Sequence, residues 1–122
     1  MTTIYLSTYT NGSTYIGSFV PPSDWNNNNN IIECLGGGGH GSTAGGGGGG
    51  GAYAAKRNVT LVPGTSYSYT SGGVASDTFF GGATLGTSTV GAKGGVTATS
   101  NAGGTGGQAA SSIGDVVYSG GN

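Results

Sequence analysis

Residues 31–53 of this chain run IIECLGGGGHGSTAGGGGGGGAY: a short apolar stretch enters a glycine block, Gly36–Gly51, that only His40 and residues 42–44 interrupt. Fixing the backbone of one residue costs about 1–2 kcal/mol. Glycine lies at the expensive end of that range, and it has no side chain whose burial would offset the loss. The block is therefore either mobile or held by hydrogen bonds to neighbouring backbone.

The ordered alternative is an extended rod of the polyproline II type, with three residues per turn and a rise of about 3.1 Å per residue. Such a rod has no internal hydrogen bonds. Without Cβ atoms, however, rods can lie side by side closely enough for lateral N–H to C=O bonds. Their neighbours are either the later glycine pairs of the same chain or equivalent segments of other subunits, and the sequence leaves both open.

Segments with strand character precede the block. Residues Thr2–Tyr9 alternate in polarity and lead into Asn11-Gly12, a strong signal for a β-hairpin, so Thr14–Val20 is predicted as the return strand. The five asparagines at 26–30 favour a loop. The apolar run Ile31–Leu35 has the length of a strand.

Short strands are also predicted after the block. Ala52–Val62 has strand character, with Tyr53, Val59 and Leu61 on one face, and Val62–Thr65 fits a type II turn. The remaining predicted strands lie around Tyr67 and Tyr69 and at Thr78–Phe80, Thr87–Val90, Val96–Ser100 and Asp115–Ser119.

No segment has a helical period over 11 or more residues, so essentially no helix is expected. The prediction is an all-β fold, either a small β-sandwich or an elongated β structure, with polyglycine loops of polyproline II type. A single domain spans residues 1–122: a hairpin plus a strand in 1–35, polyglycine in 36–51, and short strands between glycine turns in 52–122.

Charge is scarce in this chain. Only 6% of the residues are charged and the formal net charge is −1, whereas about a quarter of the residues in a typical soluble domain are charged. A surface of Thr, Ser, Asn and Gly suits a protein held permanently in an assembly. With only three cationic side chains, Lys56, Arg57 and Lys93, nucleic acid is not an expected partner.

The sequence predicts neither membrane insertion nor secretion by a signal peptide. No apolar stretch of about 18 residues occurs, and Met1–Ser7 lacks the basic and apolar regions of a signal peptide. We expect cytoplasmic synthesis followed by assembly into a particle. A single cysteine, Cys34, excludes an internal disulfide.

Three side chains near the block, Glu33, Cys34 and His40, invite a catalytic interpretation, because a cysteine beside an imidazole becomes a thiolate. Cys34 lies in an apolar strand and is more typical of a buried small hydrophobe. Catalysis needs rigid placement, and His40 is surrounded by glycine. A metal site on a symmetry axis, with His40 from three copies, is the alternative. We predict no catalytic residue, metal or cofactor.

Glu33 favours a cross-strand pair with Lys56 or Arg57. Glycoside hydrolysis usually needs two carboxylates held about 5–10 Å apart. Glu33 is the only acid at the centre of a predicted strand, so a glycan depolymerase is disfavoured. The chain is predicted not to be an enzyme.

The order of motifs along the chain resembles the glycine-rich domain of bacteriophage and prophage tail proteins, over roughly residues 18–122. The matching motifs are Val20–Asn26, Ile32–Leu35 running into Gly36–Gly39, Gly47–Ala54, Asn58–Gly64, Ala92–Gly95 and Tyr118–Asn122. The resemblance implies a β-rich virion domain, often at the end of a longer fibre, with glycine-rich distal parts that meet the host surface.

The expected function is that of a phage virion structural protein, a tail-fibre or spike component that contributes to host attachment. The alternative is a decoration or fibre-building protein of capsid, neck or tail that binds only other virion subunits. Expected partners are copies of itself, as a trimer or other homo-oligomer, other virion proteins, and a glycan or protein of the host surface. The candidate receptor or subunit contacts are Gly36, Gly37, Gly38, Gly39, His40, Gly45, Gly48, Gly51, Tyr53, Gly103, Gly104, Gly106 and Gly107.

Overall fold

The computed structural model describes residues 3–6 and 12–122, and within these ranges the chain is an all-β sandwich without α-helix. The strands are β1 Tyr15–Phe19, β2 Ile31–Leu35, β3 Tyr53–Arg57, β4 Tyr67–Ser71, β5 Thr78–Phe80, β6 Val90–Ala92 and β7 Val116–Tyr118. Short 3-10 helices span Leu85–Thr87 and Ala109–Ser111. The strands form two antiparallel sheets, ordered β1-β4-β5-β6 and β2-β3-β7. The predicted all-β class is confirmed, in its sandwich form.

The core lies between the two sheets and is built largely from small side chains. Cys34 and Ala54 come from the three-stranded sheet, and Phe80, Val90 and Ala92 come from the four-stranded sheet. Side chains alternate between the two faces of a strand, so Cys34 is buried while its neighbours in β2 are exposed. Ala54, Val90 and Ala92 are completely buried, which shows that the sheets approach closely at this level.

Trp25 is half-buried and packs against this core. Its ring packs edge-on against Phe19, with ring centroids 6.0 Å apart, and its indole Nε1 donates to Asn27 Oδ1 at 3.1 Å. Pro21 is completely buried nearby in the sequence. Trp25 is therefore held against the core both by its ring contact and by a hydrogen bond of its own.

The asparagine run forms the predicted turn, and its side chains bond to a distant segment. Asn30 Oδ1 accepts the N–H of Val59 at 2.9 Å and Asn30 Nδ2 donates to the Val59 carbonyl at 3.0 Å. Asn27 Oδ1 accepts the N–H of Leu61 at 3.0 Å. Val59 and Leu61 are buried but lie outside any strand, so the amides supply the backbone partners that a neighbouring strand would otherwise provide.

Several predicted elements are confirmed. β2 and β5 have the predicted bounds, and β4 lies where Tyr67 and Tyr69 indicated a strand. The turn at Val62–Thr65 also forms: Gly64 has φ +83° and the Thr65 N–H donates to the Val62 carbonyl at 3.1 Å. These are the places where local sequence patterns and turn chemistry agree.

Other predicted elements differ from the structure. The strand predicted over Ala52–Val62 ends at Arg57, because Asn58 has φ +54° and breaks the ladder. The strand predicted at Thr87–Val90 is replaced by the end of a 3-10 helix followed by β6. Val96–Ser100 forms no strand; its backbone belongs to the glycine-rich part described below.

The predicted N-terminal hairpin is only partly visible in the described ranges. Its return strand is β1, whose described partner is β4. Residues 2 and 7–11, which include half of the first predicted strand and Asn11, lie outside the described residues. The described residues 3–6 are not part of a strand.

Candidate functional site: the glycine bundle

Extended segments without strand pairing lead directly out of the strands and lie together beyond one end of the sandwich. We call them rod 1 (36–41), rod 2 (46–52), rod 3 (93–98), rod 4 (103–107) and rod 5 (119–122), and together the glycine bundle. Rod 1 follows β2, rod 2 leads into β3, rod 3 follows β6 and rod 5 follows β7. The sandwich therefore fixes where each of these four rods begins or ends.

Hydrogen bonds between rods 1 and 2 recur every third residue. The Gly36 N–H donates to the Ala52 carbonyl at 2.9 Å, and the Gly39 N–H donates to the Gly49 carbonyl at 2.8 Å. From one hydrogen bond to the next, the donor moves three residues forward along rod 1 and the acceptor moves three residues back along rod 2. This is the repeat of a polyproline II-type rod, in which every third residue presents the same face.

The same step of three joins rod 2 to two further rods. Towards rod 3, the Gly49 and Ala52 N–H groups donate to Val96 and Lys93 at 3.0 and 2.8 Å. Towards rod 4, the Gly104 and Gly107 N–H groups donate to the Gly47 and Gly50 carbonyls at 2.8 and 2.9 Å. Of the alternatives that the sequence left open, the structure has ordered rods whose neighbours are segments of the same chain.

Close packing of backbone against backbone explains why the rods are glycine. A Cβ added to Gly51 would meet the Gly36 carbonyl, and one added to Gly49 would meet the Thr105 carbonyl, in both cases closer than 3.0 Å. A Cβ added to Gly47 would have no heavy atom within 4 Å. The need for glycine thus depends on which face of the rod a residue occupies.

Two loops form the far tip of the bundle: loop A (42–45) joins rods 1 and 2, and loop B (99–102) joins rods 3 and 4. The Ser42 hydroxyl donates to the Ser100 carbonyl and links the loops. Gly45 has φ +100° and Ser100 has φ +54°, the conformations that allow the tight reversals. The tip thus presents small, uncharged side chains on a rigid backbone support.

The predicted contact residues separate into covered and exposed groups. Gly104, Gly106 and Gly107 are buried, and Gly36, Gly37, Gly39, Gly48 and Gly51 are half-buried against neighbouring backbone. Gly38, His40, Gly45 and Gly103 are exposed. That any of them contacts a receptor or a subunit stays a prediction, and the covered ones already have partners within the chain.

Sequence reasoning missed the tip residues of loop B. Thr99 and Asn101 are exposed there, in a segment that was partly predicted as strand. The signal that would have found them is Asn101-Ala102-Gly103-Gly104, in which a turn-forming asparagine precedes a glycine pair.

An ion pair also missed by sequence reasoning fixes the start of rod 3. Asp77 Oδ1 accepts the Gly94 N–H at 2.8 Å and lies 3.1 Å from Lys93 Nζ. Asp77 precedes β5, so the carboxylate ties the glycine bundle to the four-stranded sheet. Because the Lys93 side chain is 45% exposed, its ion pair contributes little to stability. The hydrogen bond from the Gly94 N–H to Asp77 is therefore the more important contact at this point.

Tyr53, also predicted as a contact residue, lies on the outer face of the three-stranded sheet. Its ring stacks on Tyr118 with centroids 6.1 Å apart, and its hydroxyl donates to Glu33 Oε1 at 2.6 Å. The hydrogen bond to Glu33 raises the pKa of Tyr53. Leu35 and Tyr118 on the same face are 68% and 64% exposed. This part of the sheet therefore presents an apolar, aromatic surface to solvent, which we call the outer aromatic face.

The predicted ion pair of Glu33 with Lys56 or Arg57 does not form among the described residues. Glu33 lies opposite Ala55 in the ladder, and its carboxylate bonds to Tyr53. Lys56 lies opposite Ile32 and so faces the other side of the sheet. Side-chain alternation, not distance along the sequence, excludes that partner.

The structure buries Cys34 in the core and leaves His40 exposed on rod 1. Cys34 is 5% exposed, and burial raises the pKa of its thiol to about 12, so the reactive thiolate is disfavoured. His40 is exposed on rod 1, and its carbonyl accepts the Ala98 N–H at 2.8 Å. In the part of the chain that the structure describes, no three His, Cys, Asp or Glu side chains are grouped so as to hold a metal ion.

A groove of about 550 Å³ is lined by residues 3–6 and by residues of both sheets. Apolar and aromatic side chains dominate its walls, among them Phe19, Trp25 and Ile32, and Glu33 is the only carboxylate among its described lining residues. Among the described lining residues, Tyr53 is a titratable group in contact with Glu33, to which its hydroxyl donates at 2.6 Å. The groove is an extension of the core surface.

Comparison of the chain with protein-family models, with curated proteins and with solved structures finds no match. The described residues also contain no helix that is long and apolar enough to cross a membrane. The features that bear on function are thus the glycine bundle with its tip and the outer aromatic face.

Proposed function

We propose that this chain is a structural component of a bacteriophage virion, of the tail-fibre or spike kind, and that the tip of its glycine bundle meets the host surface. The observation that carries the proposal is the tip itself. Loops A and B are exposed, are linked through Ser42 and Ser100, and stand on rods held by backbone hydrogen bonds. Contact residues on a rigid scaffold pay little ordering entropy on binding.

The chemistry of the tip suits a neutral, polar partner such as a glycan or a flat protein surface. Its exposed residues include Thr43, Thr99 and Asn101, which offer hydroxyl and amide groups. No charged residue lies in loops A and B. Hydrogen bonding to sugar hydroxyls or to peptide groups needs these groups, whereas phosphate-rich partners would need cations.

A second candidate is a decoration or fibre-building protein that binds only other virion subunits, and the outer aromatic face favours it. Leu35 and Tyr118 leave an apolar patch on that face, and such patches on soluble domains mark interaction sites. Assembly with copies of itself, as a trimer or other homo-oligomer, is proposed on the same patch. The rods need no second subunit to hold them, because the chain supplies their neighbours.

Binding of the purified chain to susceptible bacteria tests the first candidate. We expect the fluorescently labelled chain to bind cells that the corresponding phage infects, and an excess of it to reduce infection. A Thr43→Lys, Asn101→Lys double variant should lose this binding. Ser66→Lys, at an exposed position in the segment between β3 and β4, is the matched control and should retain it.

The two candidates give opposite results. If the chain binds no susceptible strain and does not compete with infection, while labelling locates it along the particle body, attachment is ruled out and the subunit-binding candidate is left. In that case Tyr118→Glu should prevent incorporation into particles, whereas the tip variant should not. Release of sugar from host envelopes would contradict both candidates, since neither is an enzyme.

A further inference from the structure

Strand β2 lies at the edge of the three-stranded sheet, where β3 is its neighbour. At one end of their ladder, the Asn58 N–H donates to the Asn30 carbonyl at 2.9 Å. At the other end, the Gly36 N–H donates to the Ala52 carbonyl at 2.9 Å. Hydrogen-bonded and non-hydrogen-bonded pairs alternate along an antiparallel ladder. The even-numbered residues of β2 therefore bond to β3, whereas the N–H and C=O groups of its odd-numbered residues point away from β3.

The outward-pointing backbone groups of β2, those of residues 31, 33 and 35, have no hydrogen-bond partner among the residues that the structure describes. At the next odd-numbered residue the edge is occupied, because the Gly37 N–H donates to the Ser76 carbonyl at 2.9 Å. The edge is thus unpaired over the length of β2 and paired directly beyond it. We call the unpaired stretch, residues 31–35, the open edge.

The groove described above gives an independent indication of space beside this edge. All five residues of β2 line the groove, and so do Phe19 of β1 and Tyr69 of β4 in the other sheet. The three-stranded sheet packs mainly on β5 and β6, so β1 and β4 extend beyond the open edge. A strand added at this edge would cover β1 and β4 and turn every second side chain towards Phe19 and Tyr69.

Residues 3–6 line the same groove and have the side chains that such a strand needs. Ile4 and Leu6 are separated by one residue, so in a strand they share a face. Leu6 already packs against the core, whereas Ile4 and Tyr5 are 51% and 87% exposed. The segment is not part of a strand, and its backbone groups have no hydrogen-bond partner among the described residues. Each copy of the chain therefore has one unpaired segment with strand alternation and one unpaired strand edge.

We propose that the open edge binds residues 3–6 of a second copy of this chain, as a strand added antiparallel to β2. With Tyr5 opposite Glu33, these two residues exchange both of their backbone hydrogen bonds, and Thr3 does the same with Leu35. The side chains on either side of Tyr5 then point into the groove. The added segment is uncharged, so no like charge meets Glu33.

Two other occupants fit the observations less well. Pairing two open edges about a two-fold axis centred on Glu33 places two carboxylates directly opposite each other, which is destabilising. Residues 3–6 of the same copy lie at the groove without joining β2. Because the segment and the edge are different surfaces, the joint between copies is heterologous and generates a ring or a filament. It goes beyond host attachment at the tip and beyond contacts through the outer aromatic face.

Disulfide trapping between two variants, each with one introduced cysteine, tests the proposal. Thr3→Cys and Leu35→Cys chains of different isotopic mass are mixed and oxidised. Hydrogen-bonded antiparallel pairs have Cα atoms about 5.5 Å apart, a distance that a disulfide spans. We expect a heterodimer linked through positions 3 and 35. Ser66→Cys in place of Leu35→Cys is the control, at an exposed position, and should give no heterodimer above background. The native Cys34 is buried and does not compete.

Two substitutions at Leu35 test whether the backbone of the edge makes the joint. Leu35→Pro removes an N–H that points away from β3, so no bond within the sheet is lost and the chain should still fold, as circular dichroism would show. Leu35→Ala removes the same side chain but keeps the N–H. In sedimentation of the full chain, Leu35→Pro should associate about tenfold more weakly than Leu35→Ala, or worse.

Three results would overturn the proposal. They are absence of the linked heterodimer, linkage only within single chains that carry both cysteines, and equal association of the two Leu35 variants. Cell binding by the same variants keeps this test separate from the proposed function. Both Leu35 variants leave Thr43 and Asn101 in place, so lost association with retained cell binding supports the joint as a site of its own.

Discussion

Gly51 packs directly against the carbonyl group of Gly36, and a Cβ on Gly51 would come closer to that carbonyl than any real Cβ atom does. The contact fixes how near rods 1 and 2 lie. Within the run of seven glycines, alanine should therefore be tolerated at some positions and not at others.

Gly51→Ala is expected to destabilise the fold, because the methyl group forces rods 1 and 2 apart. Overpacking of this kind costs about 1–3 kcal/mol. Gly47→Ala in the same rod is the matched control, and it should be neutral or stabilising by about 0.4–1 kcal/mol through the unfolded state. Urea denaturation of both variants measures the difference. Equal stabilities would mean that the rods are not packed as described.

Asn30→Ala is expected to lower the free energy of unfolding by about 1–3 kcal/mol, because it removes the partner of the buried Val59 N–H and the nearer of the two donors to the Val59 carbonyl, leaving only Trp25 Nε1 at 3.4 Å. Asn28→Ala, in the same asparagine run but exposed and without a side-chain hydrogen bond among the described residues, should change stability by less than about 0.5 kcal/mol. Thermal or urea denaturation measures both. A similar loss of stability in the two variants would contradict a specific role for the hydrogen bonds between Asn30 and Val59.

The phenol of Tyr53 should ionise at higher pH than an ordinary tyrosine, since the hydrogen bond to Glu33 favours the protonated form. The bond is present below the raised pKa and is lost as the pH rises through it. Glu33→Gln should return the pKa of Tyr53 towards its usual value. Ring ¹³C resonances followed through alkaline pH, and assigned with Tyr53→Phe, provide the measurement. Identical titration of parent and Glu33→Gln would contradict the hydrogen bond.

Cys34 should resist thiol reagents in the folded protein at pH 8, because its thiol is buried and has a pKa of about 12. Labelling should become fast only in denaturant. The rate of labelling without denaturant then reports opening of the sandwich. Rapid labelling of the native chain would mean that β2 does not cover the core in solution.

Where local patterns carry enough information, the sequence predicts the fold well. An apolar run of strand length predicts β2 and favours a buried Cys34, and Pro63 followed by Gly64 predicts the type II turn. The polyproline II character of the rods follows from glycine having no side chain. These inferences need no knowledge of distant residues.

Local sequence patterns do not predict structure that depends on hydrogen bonds between segments far apart in the chain. Val96–Ser100 has strand-forming residues, yet Val96 and Ala98 bond to other rods and the segment joins the bundle. That the rods find their neighbours in the same chain depends on registers between residues about 50 apart, such as Gly49 with Val96. Glu33 was paired with the wrong side chain because Tyr53, across the ladder, competes for it.

Hydrogen exchange at single glycine amides in dilute solution tests the central claim most directly, namely that the chain holds its own glycine rods in place. The account predicts that the Gly49 and Gly107 amides, which donate to Val96 and Gly50, exchange about a hundredfold or more slowly than in an unstructured peptide. The Gly47 amide, which has no hydrogen-bond partner among the described residues, should exchange fast, and dilution should change none of these rates. Unprotected exchange at Gly49 and Gly107, or protection that disappears on dilution, would contradict it.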